Sequence, residues 1–264
     1  MKIKTFVVGY VLALAIFLFA QRRTPSEQDP RFVVVDLTHS IALVTPPAQE
    51  APAPSRFQDH RANAKLASDD ASFAREILSP ERYGTHLDAP AHFEHGLWTV
   101  DQIPAERLVA PLVVLNVQSK AQYDPNYQIS VNDVADWEQV HGQIPQGAVV
   151  LANTGWESRW SSAKDYRNAD SRQVMHFPGY SAETARFLVE GRTAIGLGID
   201  TLSLDYGPSK DFPVHKYALS HSLYQLENVA NLEQAPEFGA TVVVAPSKLT
   251  GGSDAPVRIL ALMK

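Results

Sequence analysis

Apolar residues in this chain fall into short β-branched blocks, not long helical stripes. Residues 32–37 (FVVVDL), 112–117 (LVVLNV), 149–153 (VVLAN), 194–199 (AIGLGI), 241–245 (TVVVA) and 257–263 (VRILALM) predict buried strands. Two stretches carry helical spacing instead. Ser130 is placed to cap a helix through Trp137, with Val131, Val134 and Trp137 or Val140 on its apolar face. Ser181 is placed to cap a second helix over 182–190, with Ala185, Phe187 and Leu188 turned inward. Pro46, Pro47, Pro52 and Pro54 make 45–55 a surface loop. No internal repeat and no Pro/Gly/Ser linker divides 31–264, so the pattern predicts one domain. Many strands with few helices between them predict a mixed sheet or barrel with peripheral helices.

The N-terminus has a different pattern. Lys2 and Lys4 precede an uncharged run over 6–20, which at 15 residues is shorter than a spanning helix requires. A charged start and a short apolar core predict a signal peptide over 1–20, or an uncleaved membrane tether through residues 5–20 facing the periplasm. Residues 21–30 then form a polar tether. The predicted location is periplasmic or secreted.

Composition removes several classes. The 264 residues are 45% hydrophobic and 20% charged, which suits a globular domain and not a disordered chain. The net charge is -6 without a basic stripe, so nucleic acid is not the expected partner. With no Cys, thiol nucleophiles, Cys-ligated zinc, iron–sulfur clusters and disulfides are excluded. No G-x-S-x-G occurs, and Ser203, Ser209 and Ser253 lack the elbow context of a serine hydrolase.

The chemistry concentrates in 84–93, GTHLDAPAHF. Pro90 forbids a continuous helix and biases Ala89 toward an extended backbone. In an extended chain His86 and Asp88 face one site, ~6.6 Å apart along the strand. His92 reaches the same site if the chain turns tightly after Pro90. Imidazole and carboxylate suit zinc, manganese or iron. A hydrogen-bonded loop is the plain alternative for three polar residues beside a proline.

GTHLDAPAHF resembles the motif H-x-G-T-H-x-D-x-P-x-H of the cyclase family, which includes bacterial kynurenine formamidases and isatin hydrolases. Other blocks follow in the same order: Asp36-Leu37-Thr38-His39, Thr154-Gly155-Trp156, His176-Phe177-Pro178-Gly179 and the block from Gly198 to Asp205. His215 stands twelve residues before Glu227, which opens an E-N-x-x-N-L stretch, and Gly251, Gly252, Pro256, Val257 and Arg258 are similar to the family's C-terminal end. The resemblance implies an α/β fold of the swivelling β/β/α type with a mixed β-barrel-like core and peripheral helices. It implies one or two divalent ions, Zn or Mn, a small-molecule amide substrate, and a homodimer. By the same resemblance His86 and Asp88 are metal ligands, His92 is a second-metal ligand or the catalytic general base, and His215 and Glu227 complete a second position or orient water. The activity implied is hydrolysis of an arylformamide or a cyclic amide by metal-activated water.

One departure stands out. The motif's first histidine falls on Arg82, whose guanidinium stays protonated and cannot ligate metal. Arg82 shares the parity of His86 and Asp88, so it points to the same site, where it can hold a substrate carboxylate. His92, His95 and His39 are the candidates to fill the vacated position. The competing reading is a non-catalytic periplasmic binding protein on the same fold, its metal site altered by Arg82. Asp200 and Asp205 bracket a strand end and either orient ligands or cap a turn. Trp156 is the candidate aromatic wall for a substrate, with core packing as the commoner use of tryptophan.

Overall fold

A computed structural model of the chain describes residues 32–41, 56–61 and 73–263. The expected signal segment, the tether and the loop over 45–55 lie outside the described residues. Among the described residues there are twelve strands: β1 (Val33–Asp36), β2 (Arg56–Arg61), β3 (Phe73–Leu78), β4 (His86–Asp88), β5 (Val109–Asn116), β6 (Gln128–Ile129), β7 (Val149–Asn153), β8 (Gly179–Tyr180), β9 (Gly196–Ile199), β10 (Tyr224–Glu227), β11 (Thr241–Pro246) and β12 (Asp254–Met263). The helices are α1 (Gln118–Ala121), α2 (Val131–His141), α3 (Ala163–Arg167), α4 (Ala182–Arg186) and α5 (Pro213–Ser220).

Seven strands close into a mixed barrel, in the order β12, β11, β5, β7, β9, β10, β4 and back to β12, with β1 added outside β12. The neighbours β5, β7, β9 and β10 run parallel to one another. The remaining neighbours, including β4 with both of its partners, run antiparallel. Parallel strands are covered on both faces, which is why VVLAN and GLGI read as unbroken apolar runs. Alternation then sorts them. Val149 and Leu151 point into the barrel with Leu87, Leu112, Leu226 and Ala255, and Val150 and Ala152 point outward under the helices. Gly196 and Gly198 let the barrel narrow: a Cβ on either would lie 2.5 Å from Tyr224 or Leu151 respectively.

The capping expectations hold. Ser130 accepts from the Asp133 backbone N–H, and Asp133 answers to the Ser130 backbone, while Val134 and Trp137 are buried. Ser181 caps α4, but the α-helix ends at Arg186 and continues as a π-turn, Phe187–Gly191. Among the elements not expected are strand β10, and α5, which Pro213 opens at its first turn. Both carry site residues. Val34–Met263 form one compact unit.

Candidate metal centre

The site lies on the outer face of the barrel, where β4 is pinned between β10 and β12. Gly84 enters in the left-handed region at φ 71°, and β4 then runs extended through His86 and Asp88. Pro90 ends the strand and opens a short 3-10 turn that brings His92 back to the site. Pairing fixes the rest. His86 stands opposite Glu227 on β10 and Pro256 on β12, and Asp88 stands opposite Gln225 and Asp254. Residues opposite one another on antiparallel strands share a face, so His86, Asp88, Glu227, Gln225 and Asp254 all point the same way. Helix α5 packs over them and supplies His215.

The polar groups crowd closely. His86 Nε2 lies 3.2 Å from Glu227 Oε2 and 3.5 Å from Asp88 Oδ1. His215 Nε2 lies 3.1 Å from Glu227 Oε1 and 3.6 Å from Asp88 Oδ2. Outside this ring, His92 Nδ1 lies 3.0 Å from Asp254 Oδ1. His86, Asp88, Glu227 and His215 are all buried. Second contacts orient both inner imidazoles. Gly84's carbonyl accepts from His86 Nδ1 at 2.9 Å, and Asp205 accepts from His215 Nδ1 at 2.6 Å. Each ring therefore turns Nε2 toward the carboxylates. Asp205 also caps α5, accepting from the backbone N–H groups of Val214 and His215. Asp200 instead gathers the N–H groups of Thr154 and Trp156 and serves the turn after β7.

The electrostatics follow from this crowding. Burial pulls His86 down, but Glu227 and Asp88 outweigh it and hold the ring up to about 9. Burial likewise opposes charge on His215, and Asp205, Asp88 and Glu227 raise it well above the ordinary value. Glu227 is pushed upward by burial and pulled further down by His215 and His86, to about 2. Asp88 is raised by burial and by Glu227, yet the three histidines bring it below the usual range. Asp88 and Glu227 are thus held ionised by the imidazoles that face them.

A divalent cation fits this donor set. Among the described residues His86 Nε2 and both Asp88 oxygens have no aligned hydrogen bond, although neighbours stand at ion-pair distance. Buried polar atoms without partners are costly, and a shared cation satisfies nitrogen and oxygen together. Two ligand groups are preformed, His86–Asp88–Glu227 and Asp88–His92–Asp254, each with its ligand atoms within 4.8 Å of one another. Asp88 belongs to both.

The other predicted residues take definite places. Arg82 is half-buried, and its Nη1 lies 3.4 Å from His92 Nε2. His39 stacks flat on Trp160 at 3.7 Å, and burial lowers it to about 4. His95 is exposed. Trp156 is buried, with Nε1–H donating to the Tyr166 carbonyl and the Arg159 guanidinium 3.9 Å over its ring. Two residues escaped the sequence reading. Asp254 joins the site through its pairing with Asp88, and Gln225 is a fully buried amide with no partner for either head-group atom among the described residues. Alternation along β12 back from Val257 would have placed Asp254 on an outer face, but not beside Asp88.

The molecule is thus a closed mixed barrel that carries a His/Asp/Glu cluster able to hold a metal across β4 and β10. Comparison with known proteins gives the family. The chain belongs to the family described as Putative cyclase, whose model matches residues 35–206. An isatin hydrolase of Roseibium aggregatum is 28% identical over 243 residues, covering 87% of this chain and 91% of the relative. A kynurenine formamidase of Paracidovorax citrulli is 25% identical, covering 69% of this chain and 75% of the relative. Among solved structures, isatin hydrolase A from Labrenzia aggregata bound to benzyl benzoate superposes with a TM-score of 0.81 at 33% identity, covering 88% of this chain and 94% of that one.

Proposed function

We propose that this chain is a metal-dependent amidohydrolase that cleaves the C–N bond of a cyclic amide or an arylformamide. The observation that carries the reading is the buried cluster His86–Asp88–Glu227, in which His86 Nε2 and both Asp88 oxygens have no aligned hydrogen bond among the described residues. It is supported by the relatives, which are named as hydrolases of isatin and as kynurenine formamidases. His86, Asp88 and Glu227 hold the cation, with His215 turned to the same carboxylates, and zinc and manganese both suit nitrogen and oxygen donors without sulfur. When bound, the cation acidifies a water and polarises the amide carbonyl. The protein's own groups do the remainder. Arg82 only donates, so His92 Nε2 is the bare nitrogen beside it and Nδ1–H faces Asp254. His92 takes the proton of the attacking water and returns it to the leaving nitrogen. Asp254 steadies the imidazolium formed between those two transfers. The apolar run over 6–20 belongs to the same proposal as an export signal.

The test is elemental analysis of protein purified without chelator, with hydrolysis of isatin and of an N-formyl arylamine followed by absorbance. Near-stoichiometric metal and turnover, both lost in His86→Ala, are the expected results. Arg82 beside His92 favours a second reading, a binding protein on this fold, and metal without turnover of any amide would establish it.

A further inference from the structure

Beneath the cation ligands lies a hydrogen-bonded brace that touches none of the carboxylates. Its centre is the buried Gly84 carbonyl, which accepts from His86 Nδ1 at 2.9 Å and from Asn228 Nδ2 at 2.9 Å. The two donor nitrogens are 3.5 Å apart, sharing one acceptor. The Asn228 amide can face only one way: turned over, its oxygen would stand 2.9 Å from another oxygen with no proton between them. Its Oδ1 therefore faces Tyr166, whose hydroxyl lies 2.9 Å away and also 2.8 Å from the Asp200 carbonyl. Tyr166 and Asn228 are fully buried.

Asn228 is fixed along its backbone as well. It sits in the left-handed region at φ 53°, where asparagine is tolerated better than most residues. Its N–H donates to Thr201 and its carbonyl accepts from the Thr85 hydroxyl at 2.7 Å. One residue after Glu227, the chain thus ties the end of β10 to both residues that precede His86.

We infer that Asn228 and Tyr166 are positioning residues that set the tautomer and tilt of His86 through the Gly84 carbonyl. A carbonyl only accepts, so Nδ1 keeps its proton and Nε2, facing Asp88 and Glu227, is the nitrogen that gives up its proton to a cation. A carbonyl free to move would let the ring rotate or exchange tautomers, and the ligand would then be formed only part of the time. The inference rests on the reading of His86 as a cation ligand.

The experiment is calorimetric titration of Mn²⁺ alone and Zn²⁺ alone into the full chain and into Asn228→Gly, Asn228→Asp and Tyr166→Phe. Glycine keeps the left-handed backbone and removes the amide, whereas aspartate puts an acceptor against Gly84. Both should weaken binding about 10–100-fold, the range for partners that orient a metal ligand. Tyr166→Phe should weaken it in the same direction by a smaller factor. Thermal unfolding of the cation-free proteins, unchanged within a few degrees, separates this from misfolding. In ¹⁵N-labelled, zinc-loaded protein the His86 Nδ1–H signal should be protected from exchange in the wild type and exchange faster in Asn228→Gly. If Asn228→Gly does not fold, Tyr166→Phe decides by the same readouts. Folded variants that bind both ions as tightly as the wild type overturn the inference alone. A wild-type chain that binds neither ion overturns the assignment of His86, and the proposed function with it.

Discussion

Asp205 performs two tasks with one carboxylate, capping α5 and holding His215 Nδ1. In Asp205→Asn the amide offers one acceptor oxygen where the carboxylate offers two, so cap and imidazole compete for it. The expected outcome is a loss of about 10–100-fold in metal affinity or kcat/KM, measured by titration and rate, with only about 1 kcal/mol of stability lost in urea. Arg82 allows a test in the other direction. Arg82→His removes the fixed positive charge beside His92 and offers a neutral donor near Asp88–His92–Asp254. A rise in bound metal per chain, measured by elemental analysis, is expected. At this scale the sequence was legible where ligands are neighbours along the strand. Spacing alone placed His86 and Asp88 on one face and let His92 return after Pro90. Asp254 and Gln225 were not legible, because they meet Asp88 only through register across two other strands.

Elements with a strong local code were read nearly to their ends. The strand at 149–153 and the Ser130 cap are set by β-branched runs and by one hydroxyl. Ser130→Ala should cost about 1 kcal/mol in urea unfolding and leave metal affinity unchanged, since α2 does not touch the site. Its partner Asp133 is pushed up by burial but pulled further down, below the usual carboxylate range, by Lys120, the Ser130 backbone and Tyr127. A carboxyl lowered on folding stabilises fully above its unfolded value near ~4, and that contribution is lost as pH falls through the lowered value. Urea midpoints of wild type and Asp133→Asn should therefore differ most near neutrality and converge in acid. Strand β10 and helix α5 were illegible for a different reason. The segment LYQLE alternates apolar and polar residues, yet its polar positions are buried because they serve the site. Helix α5 is only eight residues long and takes its cap from Asp205, which lies outside the turn that precedes it.

For the whole molecule, closure of the barrel and assembly of the site depend on the same strand. Strand β4 has only three residues, and hydrogen bonds on both of its edges complete the barrel. A cation held by His86, Asp88 and Glu227 joins β4 to β10 through side chains as well as backbone. Ligand that binds only the folded state stabilises by mass action, about 2.7 kcal/mol at a hundred times Kd. Thermal unfolding should accordingly shift upward with added Mn²⁺ or Zn²⁺ and downward with chelator, and the shift should vanish in His86→Ala. The barrel itself was anticipated as a mixed core with peripheral helices. What the pattern left open was strand order, since β4 meets β12 across most of the chain's length.

That distance along the chain has a consequence for synthesis. Strand β12, which Asp254 opens, is made long after β4, yet it is one of the two staves between which β4 is gripped. A nascent chain therefore lacks half of the grip on β4 until β12 has emerged. Until then β4 can pair only with β10, which sets Glu227 opposite His86 but does not supply Asp254.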